Sequence, residues 1–328
     1  MCLILFRTLA CKNVRVPQNR SLALIAACTV LLLLSVTAYA QNLGHKLPGL
    51  LGLEAGRIPE PGLYLVDLAA RYQADELRDR NGNLIATGPF NFSAAVNSFG
   101  VSYTTRLSSS TMFLTVALSG PVARVKLNIP NLPETDLDRM APGDPYILPI
   151  RLGWRKERFD LVASYGIYLP TGKSALAGGS GVSSGRITHE FSAGGSRYFK
   201  GRTRFVTALA SYQLNMPERG VRITRGDTFQ IEGGAGTNLF GRVLETGLAS
   251  YALWQVRNDR GPDLPPLFVG LRDRVYGLGP EAAVLVKPIR SEVRSRIEWD
   301  MGVRARPQGY ILVVGIEFLV HRPKQPPP

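Results

Sequence analysis

The 328-residue chain is poor in the residue types from which soluble enzymes usually build sites, having three cysteines and three histidines. Cys2, Cys11 and Cys28 all precede residue 40, so the rest of the chain holds no thiol and cannot rely on disulfides in an oxidising compartment. His45, His189 and His321 are widely separated and match no H-x-x-x-H metal spacing. After residue 40 no run of 18 apolar residues occurs, which excludes a later transmembrane helix. Helix signals are poor, and no phosphate-cradling glycine loop leads into a helix. The formal charge of +14 could suit nucleic acid, but no basic helix, zinc pattern or aromatic RNP-like motif accompanies it.

What is present begins with a leader. Arg7, Lys12, Arg15 and Arg20 form a basic, acid-free region, followed by the apolar run 21–36 and by Ala38-Tyr39-Ala40. This is the layout of a secretory signal peptide over residues 1–40, cleaved before Gln41; the run is shorter than the roughly 20 residues that a membrane span prefers. Cleavage would remove four bases and leave 35 against 25 acids, a net of +10.

Beyond the leader the dominant signal has a period of two. In EVRSRIEWDMGVR (292–304), Glu292, Arg294, Arg296, Glu298, Asp300 and Arg304 share one parity, with Gly302 its only uncharged member, and Val293, Ser295, Ile297, Trp299, Met301 and Val303 share the other. Such alternation marks a strand with chemically opposite faces. A soluble sandwich would turn the apolar face to a protein core, an outer-membrane barrel would turn it to lipid, and alternation alone does not separate the two. Twelve such stretches recur: 62–73, 93–106, 111–120, 145–155, 159–169, 187–199, 203–214, 227–239, 242–256, 273–287, 292–304 and 309–320. Long and short gaps alternate between them, except at 305–308, where a short gap stands in place of a long one. An even strand number with alternating long loops and tight turns is the layout of a membrane barrel, and it predicts both termini in the periplasm.

The expected fold is therefore all-β: a twelve-stranded antiparallel transmembrane β-barrel, an up-and-down meander over 62–320. Aromatics at strand ends fit the interfacial girdles of such barrels, and Tyr64, Tyr72, Tyr146, Trp154, Phe191, Phe199, Trp254, Trp299, Tyr310 and Phe318 are assigned there. The lumen is expected to be lined by Asp67, Arg71, Arg106, Arg151, Asp160, Glu190, Glu232, Glu245, Glu281, Arg294, Arg296, Glu298, Asp300 and Glu317. Mixed acids and bases there could form an ion-pair network that plugs the barrel, a polar selective conduit, or both. Glycines in EGGAG (232–236) and GLGPE (277–281) would relieve crowding or mark bends.

Short motifs follow one another along most of the chain after the leader: PEPGLY (59–64), PYILPIRLGWR (145–155), the PTG turn at Pro170, Thr171 and Gly172, THEFSAG (188–194), DTFQIEGGAG (227–236), YALWQV (251–256), YGLGPE (276–281) and the closing Trp299-Asp300. In their order and spacing the chain resembles the outer-membrane, transporter-like family named for the MetA pathway of phenol degradation. The resemblance implies passage of small hydrophobic or aromatic compounds. The C-terminus departs from a common barrel pattern, since Phe318 is followed by LVHRPKQPPP rather than ending the chain. The Pro-rich end of the 321–328 tail cannot pair as a strand and is expected in the periplasm.

Residues 41–61 precede the first strand and carry Leu43, Leu47, Leu50, Leu51 and Leu53. They could enter the barrel from below as a plug or lie disordered in the periplasm; so many leucines favour the plug. Two other classes compete with a channel. A lipid hydrolase would need a serine and histidine within reach, but His189 and Ser192 fall on opposite parities, so no catalytic residue is assigned. A structural or adhesive barrel would act through loops such as 121–144. The expected reading is a diffusion channel in the outer membrane of a Gram-negative bacterium, with no cofactor and no metal, whose partners are outer-membrane lipid, the barrel-assembly machinery and a small hydrophobic or aromatic solute, and no nucleic acid.

Overall fold

The computed structural model describes residues 45, 47–85, 90–107, 111–128 and 137–323; the expected signal peptide and the last residues of the tail lie outside them. Thirteen strands follow in order: β1 (Gly62–Arg78), β2 (Asn91–Arg106), β3 (Met112–Asn128), β4 (Leu137–Pro142), β5 (Tyr146–Arg155), β6 (Phe159–Tyr168), β7 (Thr188–Phe199), β8 (Arg204–Asn215), β9 (Thr228–Leu239), β10 (Leu244–Gln255), β11 (Arg274–Val286), β12 (Ser291–Arg304) and β13 (Arg306–His321). All pairings are antiparallel, and β1 pairs with both β2 and β13, which closes the sheet. Because β3 pairs directly with β5, the wall has twelve strands. The six residues of β4 pair only with the far end of β3, from Val122↔Pro142 to Leu127↔Leu137. Of the segment 121–144, expected as a long loop, residues 122–127 and 137–142 thus pair as strands, because the alternation of β3 runs on through Val122, Arg124 and Lys126.

Tight turns at 156–158, 200–203, 240–243 and 287–290 gather at one end of the barrel with the short β2–β3 connection, and the longer connections gather at the other. These are termed the turn end and the loop end. The short gap near residue 305 is a left-handed corner at Ala305, φ +52°, where β12 and β13 part company. Above the pair Trp299↔Tyr310, the end of β12 follows β11 (Arg274↔Arg304) and the start of β13 follows β1 (Arg78↔Arg306).

Strand β8 shows why the alternating sequence makes this wall. Phe205, Thr207, Leu209, Ser211, Gln213 and Asn215 are buried toward the lumen, while Arg204, Val206 and Ala208 are exposed on the outer face. A one-residue slip would exchange the two sets. Strand β12 behaves in the same way: Arg296, Glu298 and Asp300 are buried inside, and Val293, Trp299 and Met301 are exposed outside.

Three strands depart from the expected parity. Near the end of β12 an extra residue separates Tyr276↔Met301 from Arg274↔Arg304, so Val303, expected outside, is buried inside while Arg304 is exposed. On β1, Ala70, Tyr72 and Ala74 are buried inside, whereas Leu65 is exposed outside. Asp67 and Arg71 share the outer row with Leu65, since they pair with the outward Ile316 and Leu312 of β13. They are not lumen-lining, and Tyr64 and Tyr72 point inward rather than into an outer girdle. On β5 a bulge separates Ile147↔Ile167 from Ile150↔Tyr165. The extra residue, next to Pro149, lets Tyr146 and Leu148 face inward while Ile150, Leu152 and Trp154 face outward. Tyr146 is therefore also a lumen residue.

The barrel's main apolar cluster lies inside, not between layers. Ala70, Tyr72, Ala74, Ala94, Tyr251, Leu253, Val275, Val303, Ile311 and Val313 pack with Leu47, and Leu50, Leu68, Phe92, Val96 and Val125 lie against them.

Candidate functional site

His45 and residues 47–60 thread the lumen. His45 sits at the loop end, its Nε2 2.8 Å from Ser184 Oγ and its Nδ1 3.1 Å from Asp144 Oδ2, with its ring stacked on Tyr168 at 5.0 Å. From there the segment descends, so the turn end is reached last and not first; the expected entry from below is reversed. Burial lowers the His45 pKa to about 4, leaving the imidazole neutral at pH 7. His45, Asp144 and Ser184 carry the residue types of a hydrolytic triad. Yet the Ser184 hydroxyl donates to Asp144 at 2.6 Å, and Ser183 donates to the same carboxyl at 2.6 Å. Ser184, Asp144 and His45 thus touch one another in a closed set of contacts that acts as a latch on residue 45.

Below the latch, the wall supplies the hydrogen bonds that an irregular buried backbone requires. Leu51 N–H donates to Glu232 at 2.9 Å, Leu53 N–H to Glu281 at 3.0 Å, and Gly56 N–H to Thr207 Oγ1 at 3.0 Å. From the opposite side Arg151 donates to the carbonyls of Ala55 and Arg57 at 3.0 and 2.9 Å, and Arg155 to that of Ile58 at 2.6 Å. A 3-10 turn at Gly52–Glu54 carries the chain past the charged level at Glu281 and Arg296. Gly52 has φ +50°, and a Cβ on it would fall 2.0 Å from the Glu281 carboxylate. Leu53 is fully buried against Tyr198 and Phe205. It fits because Gly234 and Gly236 of the EGGAG stretch present no side chain, and a Cβ on either would meet Leu53 at 2.8 or 3.2 Å.

The charges of segment and wall form one network. Arg294 meets Glu54 at 2.8 Å, Glu245 at 3.0 Å, Glu281 at 2.6 Å, and also Glu292. Arg57 joins Glu54 at 2.5 Å to Glu245 at 2.7 Å, and its guanidinium lies over the Phe205 ring at 4.8 Å. Arg296 adds Glu298 at 3.2 Å and Glu281 at 3.6 Å. Each carboxylate therefore has a guanidinium or a backbone donor, as buried charge requires.

Toward the loop end the lumen changes character. Inner-face residues of β1, β2, β10, β11, β12 and β13 form an apolar stretch of the lumen, here termed the chamber, against which Leu47 and Leu50 of the segment pack. One polar station stands in it: Tyr72 donates to Asp300 at 2.6 Å, Tyr251 donates to the other oxygen of the same carboxyl, and Gly309 N–H joins at 3.1 Å. These contacts close the gap where β12 and β13 separate.

Of the residues assigned to the lumen from sequence, Arg151, Glu232, Glu245, Glu281, Arg294, Arg296 and Glu298 meet in the network or on the segment's backbone. Asp300 belongs to the chamber. Glu190 accepts from Tyr146 at 3.0 Å and from Gln213 at 2.8 Å on a separate stretch of wall. Asp160 lies at the turn end with Arg202 at 3.0 Å. Arg106 is exposed at that end over Phe113, and Glu317 shares the inner parity beside Val66 and Glu292. Trp154, Phe191, Phe199, Trp254, Trp299, Tyr310 and Phe318 face outward, Phe191 and Trp299 each 50% exposed. Phe191 and Trp254 belong to an unforeseen ladder of directly paired outer aromatics, Tyr165↔Phe191↔Tyr212↔Phe229↔Trp254. Its signal is a repeated aromatic close to the loop end of five consecutive strands, visible only once their register is known. His45, Asp144 and Ser184 were also missed as a group, since 139 positions separate the histidine from the serine.

Comparison with known proteins gives the same architecture. A crystal structure of an outer membrane channel from Pseudomonas putida F1 superposes with a TM-score of 0.70 at 12% identity, covering 81% of this chain and 98% of that one. More distant are a Pseudomonas aeruginosa FadL homologue (TM-score 0.40, 10% identity, 80% and 91% covered) and the translocator domain of the autotransporter NalP from Neisseria meningitidis (0.45, 10%, 91% and 97%). No curated protein matches the sequence. The family model described as "Putative MetA-pathway of phenol degradation" matches residues 74–314, and with a closed twelve-stranded wall of apolar outer and largely polar inner face, the chain belongs to that family of outer-membrane β-barrels.

Proposed function

We propose that the protein is an outer-membrane channel through which small hydrophobic or aromatic compounds pass by diffusion. The observation that carries this reading is the apolar chamber in the loop-end half of the lumen, where a pore for hydrophilic solutes would present polar side chains to water. On this reading residues 1–40 are a signal peptide, the turn end faces the periplasm, the loop end faces outward, and residues 321–328 form a periplasmic tail. A lipophilic solute would enter at the loop end and exchange with Leu47 and Leu50.

The energetics favour exchange over trapping. Burying an aromatic ring of roughly 150–200 Å² at ~25 cal/mol per Å² contributes about 4–5 kcal/mol. Displacing two leucines costs about 1.5–3 kcal/mol each, so the two terms nearly cancel and the solute can leave again. Passage farther down requires the segment between His45 and Glu60 to shift, because its contacts with the wall span the lumen.

The test is accumulation of a labelled aromatic solute and of a labelled disaccharide by cells with and without the protein. Faster entry of the aromatic alone is expected. Equal acceleration of both would make the protein a general pore and end the hydrophobic reading.

A further inference from the structure

The turn end of the barrel opens into a cavity of about 1200 Å³, bordered on one side by Arg57, Ile58 and Glu60 at the lower end of the segment. Eight arginines and lysines line it against three carboxylates. Two of these carboxylates are already engaged: Asp160 with Arg202 at 3.0 Å and Tyr198 at 2.9 Å, and Glu60 with Arg155 at 2.8 Å. Lys156, Arg158, Lys200 and Arg242 form no ion pair with a described carboxylate, although they share the same cavity.

The backbone holds these cations in place. Lys200-Gly201-Arg202 and Phe240-Gly241-Arg242 occupy neighbouring turns, and all six residues have left-handed φ between +47° and +67°. Side chains other than glycine rarely adopt that conformation, and it persists only where the surroundings hold it. Here Arg202 donates to the Lys156 carbonyl at 3.0 Å, which ties one basic turn to the next. A concave surface with unbalanced positive charge concentrates anions, because the low-dielectric wall focuses its field. Guanidinium and ammonium groups at such a surface recognise carboxylate and phosphate oxygens.

We propose that this vestibule is a binding site for small soluble oxyanions, solutes bearing a carboxylate or a phosphate. It is a second site, distinct in place and chemistry from the apolar chamber, and it does not depend on which neutral solute the chamber admits. The anionic headgroups of the bilayer share the same chemistry, and the experiment separates the two sources.

Full-length protein in a non-ionic detergent, at about 20 mM ionic strength, is titrated calorimetrically with sodium benzoate, with sodium phosphate and with benzyl alcohol as the neutral counterpart. Benzoate or phosphate should bind, and the triple variant Lys156→Gln/Arg158→Gln/Arg242→Gln should bind at least tenfold more weakly. Raising the salt to about 0.5 M should weaken binding as well, because it shortens the screening length to a few ångström. Arg124→Gln/Lys126→Gln, on the β3–β4 hairpin at the other end, should titrate as wild type. Equal affinity in wild type and triple variant overturns the proposal, as does failure of wild type to bind either anion at millimolar concentration. Binding seen only to phosphatidylglycerol vesicles, and lost in detergent, makes the cavity a headgroup contact and overturns it too. Should the triple variant not assemble, Arg158→Gln and Arg242→Gln are measured singly, and a loss below threefold in both likewise overturns the proposal.

Discussion

Replacing Arg294 by methionine should loosen the segment inside the barrel. Arg294 is nearly buried and joins four carboxylates, of which Glu281 is fully buried and also accepts the Leu53 N–H at 3.0 Å. Methionine keeps most of the side-chain length but leaves Glu54, Glu245, Glu281 and Glu292 facing one another. Removing one partner of a buried pair typically costs about 3–5 kcal/mol, because the remaining charge stays buried without compensation. Arg57 still holds Glu54 and Glu245, and Arg296 still reaches Glu281 at 3.6 Å, so the lower half of that range is expected. Adding Glu281→Gln should restore part of the loss, since an amide oxygen can still accept from Leu53 without carrying charge. The measurement is urea unfolding of the barrel in lipid vesicles, paired with protease cleavage within residues 47–58. A double variant less stable than either single one, or an Arg294→Met protein within about 0.5 kcal/mol of wild type and equally protected, would refute the argument that these charges hold the segment.

Three further outcomes follow from the geometry. On the outer face, Asp67→Leu should stabilise the barrel by about 1–2 kcal/mol, whereas Ile297→Arg should cost about 2–4 kcal/mol and Ile297→Phe should be tolerated; loss of stability in Asp67→Leu would return that side chain to the lumen. At the loop end, the His45 pKa is depressed by burial from 6.5 to about 4, so the latch is at full strength above pH 6.5 and weakens as the pH falls toward 4, where the released imidazole binds a proton that the buried one refuses. That amounts to about 3 kcal/mol at most; protease protection of residues 45–50 should drop between pH 7 and 4.5 in wild type, and an equal drop in His45→Asn would assign the effect to other groups. For orientation, cysteines placed at Ser180 and Pro262 should react with an impermeant maleimide on intact cells, while those at Glu157 and Gly201 should not, and the opposite pattern would invert the barrel.

The alternation of β8 and β12 and the unequal loops were legible in sequence because hydrocarbon imposes one simple rule on the outer face. That rule misleads on β1. There the row Tyr64, Val66, Leu68, Ala70, Tyr72 is the more apolar one, yet it faces inward, because the lumen beside it is itself apolar. On β5 the in-out order changes at a bulge by Leu148 and Pro149, and a single extra residue leaves little trace in a pattern of period two. The course of residues 47 to 60 could not be read at all: Leu51 and Leu53 find their acceptors 181 and 228 positions away, and the segment has no periodicity of its own. Its leucines signalled burial without direction. The glycines at 234 and 236 signalled crowding without naming Leu53 as the neighbour.

Uptake through a chamber made polar tests the central claim most directly. Val313 is buried on the inner face of β13 and pairs with the equally inward Ala70, so Val313→Asp places a carboxylate in the chamber while leaving the outer face untouched. A heat-modifiable band in unheated gels shows that the barrel has assembled, and Val314→Leu on the lipid side serves as the matched control. In cells carrying the folded Val313→Asp protein, entry of a labelled aromatic solute should fall at least tenfold, the equivalent of about 1.4 kcal/mol, with Val314→Leu at the wild-type rate. Wild-type entry through a correctly folded Val313→Asp barrel would show that solutes do not travel through the apolar chamber.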